Sequence, residues 1–317
     1  MTPTSKIQWT DATWNPSTGC TQISPGCDNC YAKRITERFS GRGSFDVVKI
    51  HHDRLDRPLR MRKSKMIFVN SMSDLFHPDI PDTFIASAFA VMSLANWHIY
   101  QVLTKRHGRM RSLLRSAAFH QLVVDTRQRI IDHPTSRMTR PHRAAARATP
   151  MPWPLPNVWG GVSVEDQQRA ALRIQTLIET PLAVRFLSCE PLLTQLDLER
   201  HNGQVTYWLS GRPDWGPPEQ SGTGVELRDL VVYPHVDWVI VGGESGDQAR
   251  PLDPDWVRVL RDQCAAAGVA FFCKQLGEAW ALAHGNTDHK GGDPESWPED
   301  LRVRQFPQLP TEAVYHA

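Results

Sequence analysis

The segment CTQISPGCDNCYAKR, residues 20–34, gathers three of the chain's six cysteines, Cys20, Cys27 and Cys30, around a Ser-Pro-Gly turn. Thiols so close in sequence can form a disulfide, ligate zinc, or hold an iron–sulfur cluster that needs only three protein ligands. The start of the chain, MTPTSKIQWTDATWNPSTGC, has no apolar leader core, and no later run is long enough to span a bilayer. The expectation is a cytoplasmic protein with no membrane attachment. In a reducing compartment, clustered cysteines bind metal or do chemistry more often than they cross-link. A structural zinc usually takes four protein ligands, often as two C-x-x-C knuckles, whereas here a single C-x-x-C pair has one outlier. His51 and His52 are the nearest histidines that could complete such a set. Three thiolates on a four-iron cluster would instead leave one iron open to a small molecule. Spacing alone leaves zinc and cluster both standing.

The elements that must position these thiols are legible as short apolar runs alternating with helical stretches. With 317 residues, 40% of them hydrophobic, the chain can bury a full core, and a single domain over 1–317 is expected. The strand candidates are KIQWT (6–10), MIFVN (66–70), HIYQVLT (98–104), NVWGGVS (157–163), AVRFLSC (183–189), VDWVIVGG (236–243) and VAFFCKQ (269–275). Helices are expected over YAKRITERF (31–39), DTFIASAFAVMSLAN (82–96) and DPDWVRVLRDQCAAAG (253–268). In the last, Asp253 is the N-cap, Pro254 the first helical residue and Gly268 the stop. Strand and helix alternating throughout predict an α/β fold, a full or partial (β/α) barrel of the TIM type, with a doubly wound open sheet as the alternative. Two stretches break the rhythm and read as insertions, an Arg- and Pro-rich one at about 127–156 and a Gly- and Pro-rich one at about 202–224. The first is either a basic arm for a phosphate backbone or a solvated loop.

Polar residues follow the apolar part of each strand: Asn70, Ser71, Ser73 and Asp74; Thr104, Lys105 and Arg106; Ser163 and Glu165; Ser188, Cys189 and Glu190; Gly243, Glu244 and Ser245; Lys274 and Gln275. In a parallel barrel the carboxyl ends of all strands open on one face, so these clusters should converge there with the cysteine loop. Asp74 and Glu190 are candidates to hold hydroxyl or ammonium groups of a ligand, and Gly242, Gly243 and Glu244 to let the backbone approach one. Lys105, Arg106, Arg250 and Lys274 either face an anionic substrate or pair with Glu165, Glu190 and Glu244, leaving no net field. The net charge of +2 does not by itself imply nucleic acid. Cys189, Cys264 and Cys273 read as small buried hydrophobes. Most tryptophans read as core; Trp153, Trp208 and Trp215, in the insertions, could instead stack on a base or a partner.

A cysteine triplet ending in C-x-x-C after the first strand of a (β/α) barrel resembles the radical S-adenosylmethionine superfamily. CDNCYAKR is similar to the C-x-x-C-Y-A-R form of its spore photoproduct lyase branch, and NSMSDLFHPDIP (70–81) resembles a segment of the same branch. Over most of its length the chain is identified as a member of a family of uncharacterised three-Cys-motif proteins carried by phages and bacteria. The motifs that carry this stand at Trp14 to Pro16, Ser24 to Ala32, Leu103 to Arg106, Asn157 to Glu165, Arg185 to Leu193 and Trp238 to Arg250. One departure is plain: six residues, TQISPG, separate the first two cysteines, where most of the superfamily has three. Ser24, Pro25 and Gly26 are expected to turn the extra length aside.

The resemblance implies that Cys20, Cys27 and Cys30 ligate a 4Fe-4S cluster, with Tyr31 packing nearby to limit solvent. S-adenosylmethionine would bind the open iron, with Asp74, Lys105, Glu190, Gly242, Gly243 and Glu244 as the cofactor-binding set. It further implies reductive cleavage of that cofactor to a 5'-deoxyadenosyl radical, in the service of nucleic-acid modification or repair. The expected partners are a nucleic-acid or nucleotide substrate, an external electron donor and a further protein. Two alternatives from other classes stand beside it: a zinc-stabilised nucleic-acid-binding module, and an iron–sulfur redox protein without catalysis.

Overall fold

Seven parallel strands lie side by side in chain order: β1 (Ala12–Trp14), β2 (Met66–Val69), β3 (Ile99–Thr104), β4 (Val158–Ser163), β5 (Val184–Cys189), β6 (Trp238–Gly242) and β7 (Ala270–Gln275). The computed structural model describes residues 5, 7–133, 138–211, 213–215, 219–220, 226–227, 230–232 and 234–308. An order that never reverses rules out the doubly wound alternative. Among the described residues β1 and β7 remain the two edges, so the barrel expectation holds in its partial form, a curled half-barrel with helices outside.

Alternation within the strands explains the curl. Phe68, Trp159, Phe186, Trp238 and Phe272 project to the concave side and meet in one apolar cluster, although β2 and β7 lie far apart in the sheet. Trp238 touches Trp159, Phe186 and Phe272 at centroid separations of 6.0, 5.9 and 6.1 Å. Aromatic rings from five strands can share contacts only if the sheet bends around them. Gly161 makes room: a Cβ there would lie 2.5 Å from the Phe186 ring. The other strand face, including Ile67, Val69, Tyr100, Val102, Val239 and Phe271, packs into the larger core beneath the helices.

The helices follow from capping and apolar phase. They are α1 (Tyr31–Ser40), α2 (Asp82–Leu94), α3 (His107–Leu114), α4 (Ala117–Asp132), α5 (Arg140–Ala148), α6 (Gln167–Ile178), α7 (Pro254–Ala267) and α8 (Glu278–Ala283). In α7, the Asp253 side chain accepts from Asp255 N, Pro254 leads, and Gly268 stops the helix at φ +69°, as its sequence predicts. No helix among the described residues is long and apolar enough to cross a membrane.

Two expectations are revised. KIQWT (6–10) is not the first strand: Ile7–Thr10 is a turn, and the ladder starts at Ala12. The cause is Trp9, which leaves the sheet to enter the aromatic cluster, 4.6 Å from Phe68 and 6.2 Å from Trp238, while Asp11 accepts from Met66 N and sets the register. The Arg-rich stretch 127–156 is partly helical, because Ile131 continues the buried stripe of α4 and Thr139 caps α5. Trp153 packs on Phe89, and Trp208 is buried. The stretch 202–224 opens with a hairpin of Arg200–His201 and Gln204–Val205, while much of its remainder and the side chain of Trp215 lie outside the described residues.

Candidate active site

The carboxyl ends of the strands enclose a cavity of about 730 Å³ lined by Cys20, Cys27 and Cys30. Asn70, Ser71, Ser73, Asp74, Thr104, Lys105, Arg106, Ser163, Ser188, Glu190, Gly243, Glu244, Ser245, Lys274 and Gln275 line it as well, so the strand-end clusters do converge. Glu165 is buried just behind the wall. Cys189 points the other way into the core, as do Cys264 and Cys273, whose thiols burial pushes up to about 12.

What most of these groups hold is the cysteine loop itself. Gly19, at φ +88°, brings the chain so close to Val47 that a Cβ would lie 2.2 Å from its carbonyl oxygen. Beyond it, the Arg106 guanidinium reaches Cys20 Sγ (3.3 Å), Thr21 O (3.1 Å) and Thr21 Oγ1 (3.0 Å), and is held by Asp74 (3.0 Å). Asp74 also accepts from Thr104 Oγ1, Lys105 N and Phe76 N. Its lone pairs are spent on the fold, and the ligand role expected of it falls away in this arrangement.

A second clamp grips the middle of the loop. Ser24 precedes a single turn of 3-10 helix over Pro25–Cys27, which takes up the extra spacing as expected. The Ser24 hydroxyl donates to Glu165 (2.6 Å), which Lys105 and Arg173 (2.9 Å) bind as well. Glu165 is fully buried; burial pushes its carboxyl up, but Lys105 and Arg173 more than reverse this and hold it below the usual carboxylate range. Gly26 is required here, since a Cβ would sit 2.3 Å from Glu165 Cγ.

The third clamp uses the GGESG segment. Arg250 binds Glu244 through Nε (3.0 Å) and Nη2 (2.7 Å), and reaches Pro25 O (2.9 Å) and Asp28 Oδ2 (3.1 Å). Asn29 donates to Glu244 (2.9 Å) and Gln248 O (2.9 Å). Gly243 is needed because Leu276 O would lie 2.3 Å from a Cβ, and Gly242 packs on the Glu190 side chain. Glu190 pairs with Lys274 across the cavity wall, and the Tyr31 hydroxyl donates to Ser71 O. Thus all four cations expected at the mouth are paired with carboxylates.

The groups left for a ligand are fewer and mostly neutral. Ser163 and Ser188 end neighbouring strands, directly opposite one another, and their hydroxyls have no protein partner among the described residues. Asn70, held at φ +61°, gives its amide to Ser17 Oγ while its Oδ1 is buried without a partner. Trp9, Phe68 and Leu103 form an apolar floor, and Arg34 and Lys290 stand on the rim without salt bridges among the described residues.

Arg173 and Asn29 escaped the sequence reading. A signal existed for the first: Ala170, Arg173, Ile174 and Leu177 share the buried stripe of α6, and an arginine in an apolar phase demands a buried carboxylate. Asn29 offered none.

The donor set fits a group held by three thiolates. None of the three cysteines is in a disulfide, all are half-buried, and all border one cavity. Among the described residues no three His, Cys, Asp or Glu side chains stand together as a metal cage. Burial pushes the Cys20 thiol up to about 11 against the pull of Arg106. The two histidines nearest in sequence are engaged elsewhere, His51 with Thr18 Oγ1 (2.9 Å) and His52 edge-on to Phe84, while His77 meets Thr21 Oγ1 (2.9 Å) beside Cys20.

No curated protein and no solved structure matches the chain. A family model covers almost all of it, residues 4–298, and by that match the chain belongs to the family described as protein of unknown function DUF5131.

Proposed function

We propose that the protein is an iron–sulfur enzyme of the radical S-adenosylmethionine type, with Cys20, Cys27 and Cys30 holding the cluster. The observation that carries this is the meeting of three free thiols with one cavity of about 730 Å³ at the carboxyl ends of a half-barrel. Held by Cys20, Cys27 and Cys30, a reduced 4Fe-4S cluster would supply one-electron reducing chemistry for the cleavage of S-adenosylmethionine. The chain's own part is to bind, orient and keep out water. The three clamps fix the loop, Trp9, Phe68 and Leu103 close the floor, and Asn70, Ser163, Ser188 and the Glu190–Lys274 pair offer hydrogen bonds to a polar molecule. Paired charges suit a zwitterionic ligand better than a bare anion. Arg34 and Lys290 on the rim suit the phosphates of a nucleotide or nucleic-acid substrate, and modification or repair of nucleic acid is the reaction class we assign. The electron comes from an external donor.

The test is product analysis. Anaerobic, reconstituted protein given S-adenosylmethionine and dithionite should form 5'-deoxyadenosine and methionine, and the Cys20→Ala, Cys27→Ala, Cys30→Ala protein should form neither. Loaded protein that leaves S-adenosylmethionine intact would leave only the redox reading. His51 and His52, the histidines named for the zinc reading, are both engaged away from the cavity.

A further inference from the structure

A second cavity, of about 1160 Å³, opens at the amino ends of the strands, opposite the cysteines. Its walls come from the α3–α4 junction, the end of α6, the approach to β4 and the hairpin that follows β5. Its chemistry is the reverse of the first. Arg115 makes no salt bridge among the described residues, and the Glu179 carboxylate near it is already bound by Arg111. Arg185 donates through its side chain to Thr180 O (3.2 Å) and through its backbone N–H to Asp237 Oδ2 (2.7 Å); its guanidinium feels that carboxylate but forms no salt bridge among the described residues, and its Nε is buried without a partner. A half-buried guanidinium with an Nε that no partner satisfies is a costly arrangement that a ligand can relieve.

Aromatic surface lies beside these cations. Trp153 is fixed by its Nε1–H on Leu114 O (3.1 Å) and by His120 stacked at 4.9 Å, and it keeps an edge in the cavity. Tyr207 is 38% exposed and sits at φ +56°, a left-handed backbone that tyrosine rarely adopts. Strain of this kind persists where the side chain is needed in one place.

We propose that this second cavity binds a nucleotide unit, its base against Tyr207 and Trp153 and its phosphate on Arg115 and Arg185. Together, planar rings and guanidiniums that no salt bridge holds recognise that chemistry, whether as a free nucleotide or as part of a single strand. The site goes beyond the reaction proposed at the cysteine end and does not depend on it.

Calorimetric titration of the full chain tests it, with AMP, adenosine, inorganic phosphate and a short single-stranded oligonucleotide as probes. Saturable binding of AMP, with adenosine and phosphate each about tenfold weaker or more, supports a free nucleotide, since each lacks one half of the recognition. Saturable binding of the oligonucleotide alone supports a strand. In either case Arg115→Gln, an exposed change that spares the core, should weaken binding about tenfold. Tyr207→Gly should weaken it too while leaving the melting temperature equal or higher, because glycine accepts the positive φ. The triple cysteine-to-alanine protein should bind as wild type, which separates this site from the proposed reaction. Failure of both AMP and oligonucleotide to bind, phosphate binding as tightly as AMP, or unchanged binding in both variants would overturn the proposal.

Discussion

The two faces within the half-barrel are built on opposite principles. Below, Trp9, Phe68, Trp159, Phe186, Trp238 and Phe272 fill the concavity and bend the sheet by contact alone. Above, at the carboxyl ends, Asp74–Arg106, Glu165–Lys105–Arg173 and Glu244–Arg250 are arranged around one fifteen-residue segment. The apolar half fixes where the strand ends point. The ionic half fixes what hangs over them. Contact packing tolerates no gaps but is indifferent to direction, whereas hydrogen-bonded ion pairs set orientation, and a loop that must present three thiols to one cavity needs the second.

This contrast breaks in graded ways. Trp238→Ala removes the ring that touches Trp9, Trp159, Phe186 and Phe272, and should cost about 4 kcal/mol in urea unfolding. A cost below about 1 kcal/mol would mean the curl does not rest on the aromatic plug. Glu165→Gln leaves Lys105 and Arg173 short of a carboxylate and should cost about 3 kcal/mol, with faster alkylation of Cys27. The same residue gives a pH signature. Its folded carboxyl ionises below its ordinary value of 4.5, so its contribution is complete above that value and is lost as pH falls through the folded one. Wild-type protein should therefore lose stability on acidification below about pH 4.5 by an increment that Glu165→Gln lacks. Smallest is Tyr31→Phe, which deletes the bond to Ser71 O and should cost about 1 kcal/mol, with the unfolding slope unchanged.

Much of the apolar half could be read in advance, and the ionic half only in outline. Val158–Ser163 and Trp238–Gly242 announce themselves as buried parallel strands because they are short, nearly continuous runs of apolar and small residues, and every residue in them is buried; α7 does so because Asp253, Pro254 and Gly268 punctuate it. Trp9 misled because KIQWT has strand composition, and only the tertiary demand of the aromatic cluster pulls it out of the sheet. That polar groups gather at the carboxyl ends followed from parallel topology. Their partners did not: whether Asp74 faces a ligand or Arg106 depends on where a loop from another part of the chain lies, and one sequence carries no record of that distance. The roles given to Gly243 and Glu244 shifted for the same reason, since Leu276 and Arg250 meet them only in the folded chain.

The most direct test of the central claim is metal analysis. Protein purified and reconstituted without oxygen should hold about four irons with matching sulfide per chain and absorb in the visible, as three thiolates on a four-iron cluster require. The Cys20→Ala, Cys27→Ala, Cys30→Ala protein should lose both iron and colour while keeping its fold by circular dichroism. A colourless wild-type protein carrying about one zinc and no iron would contradict the account and make the cysteine loop a structural clip.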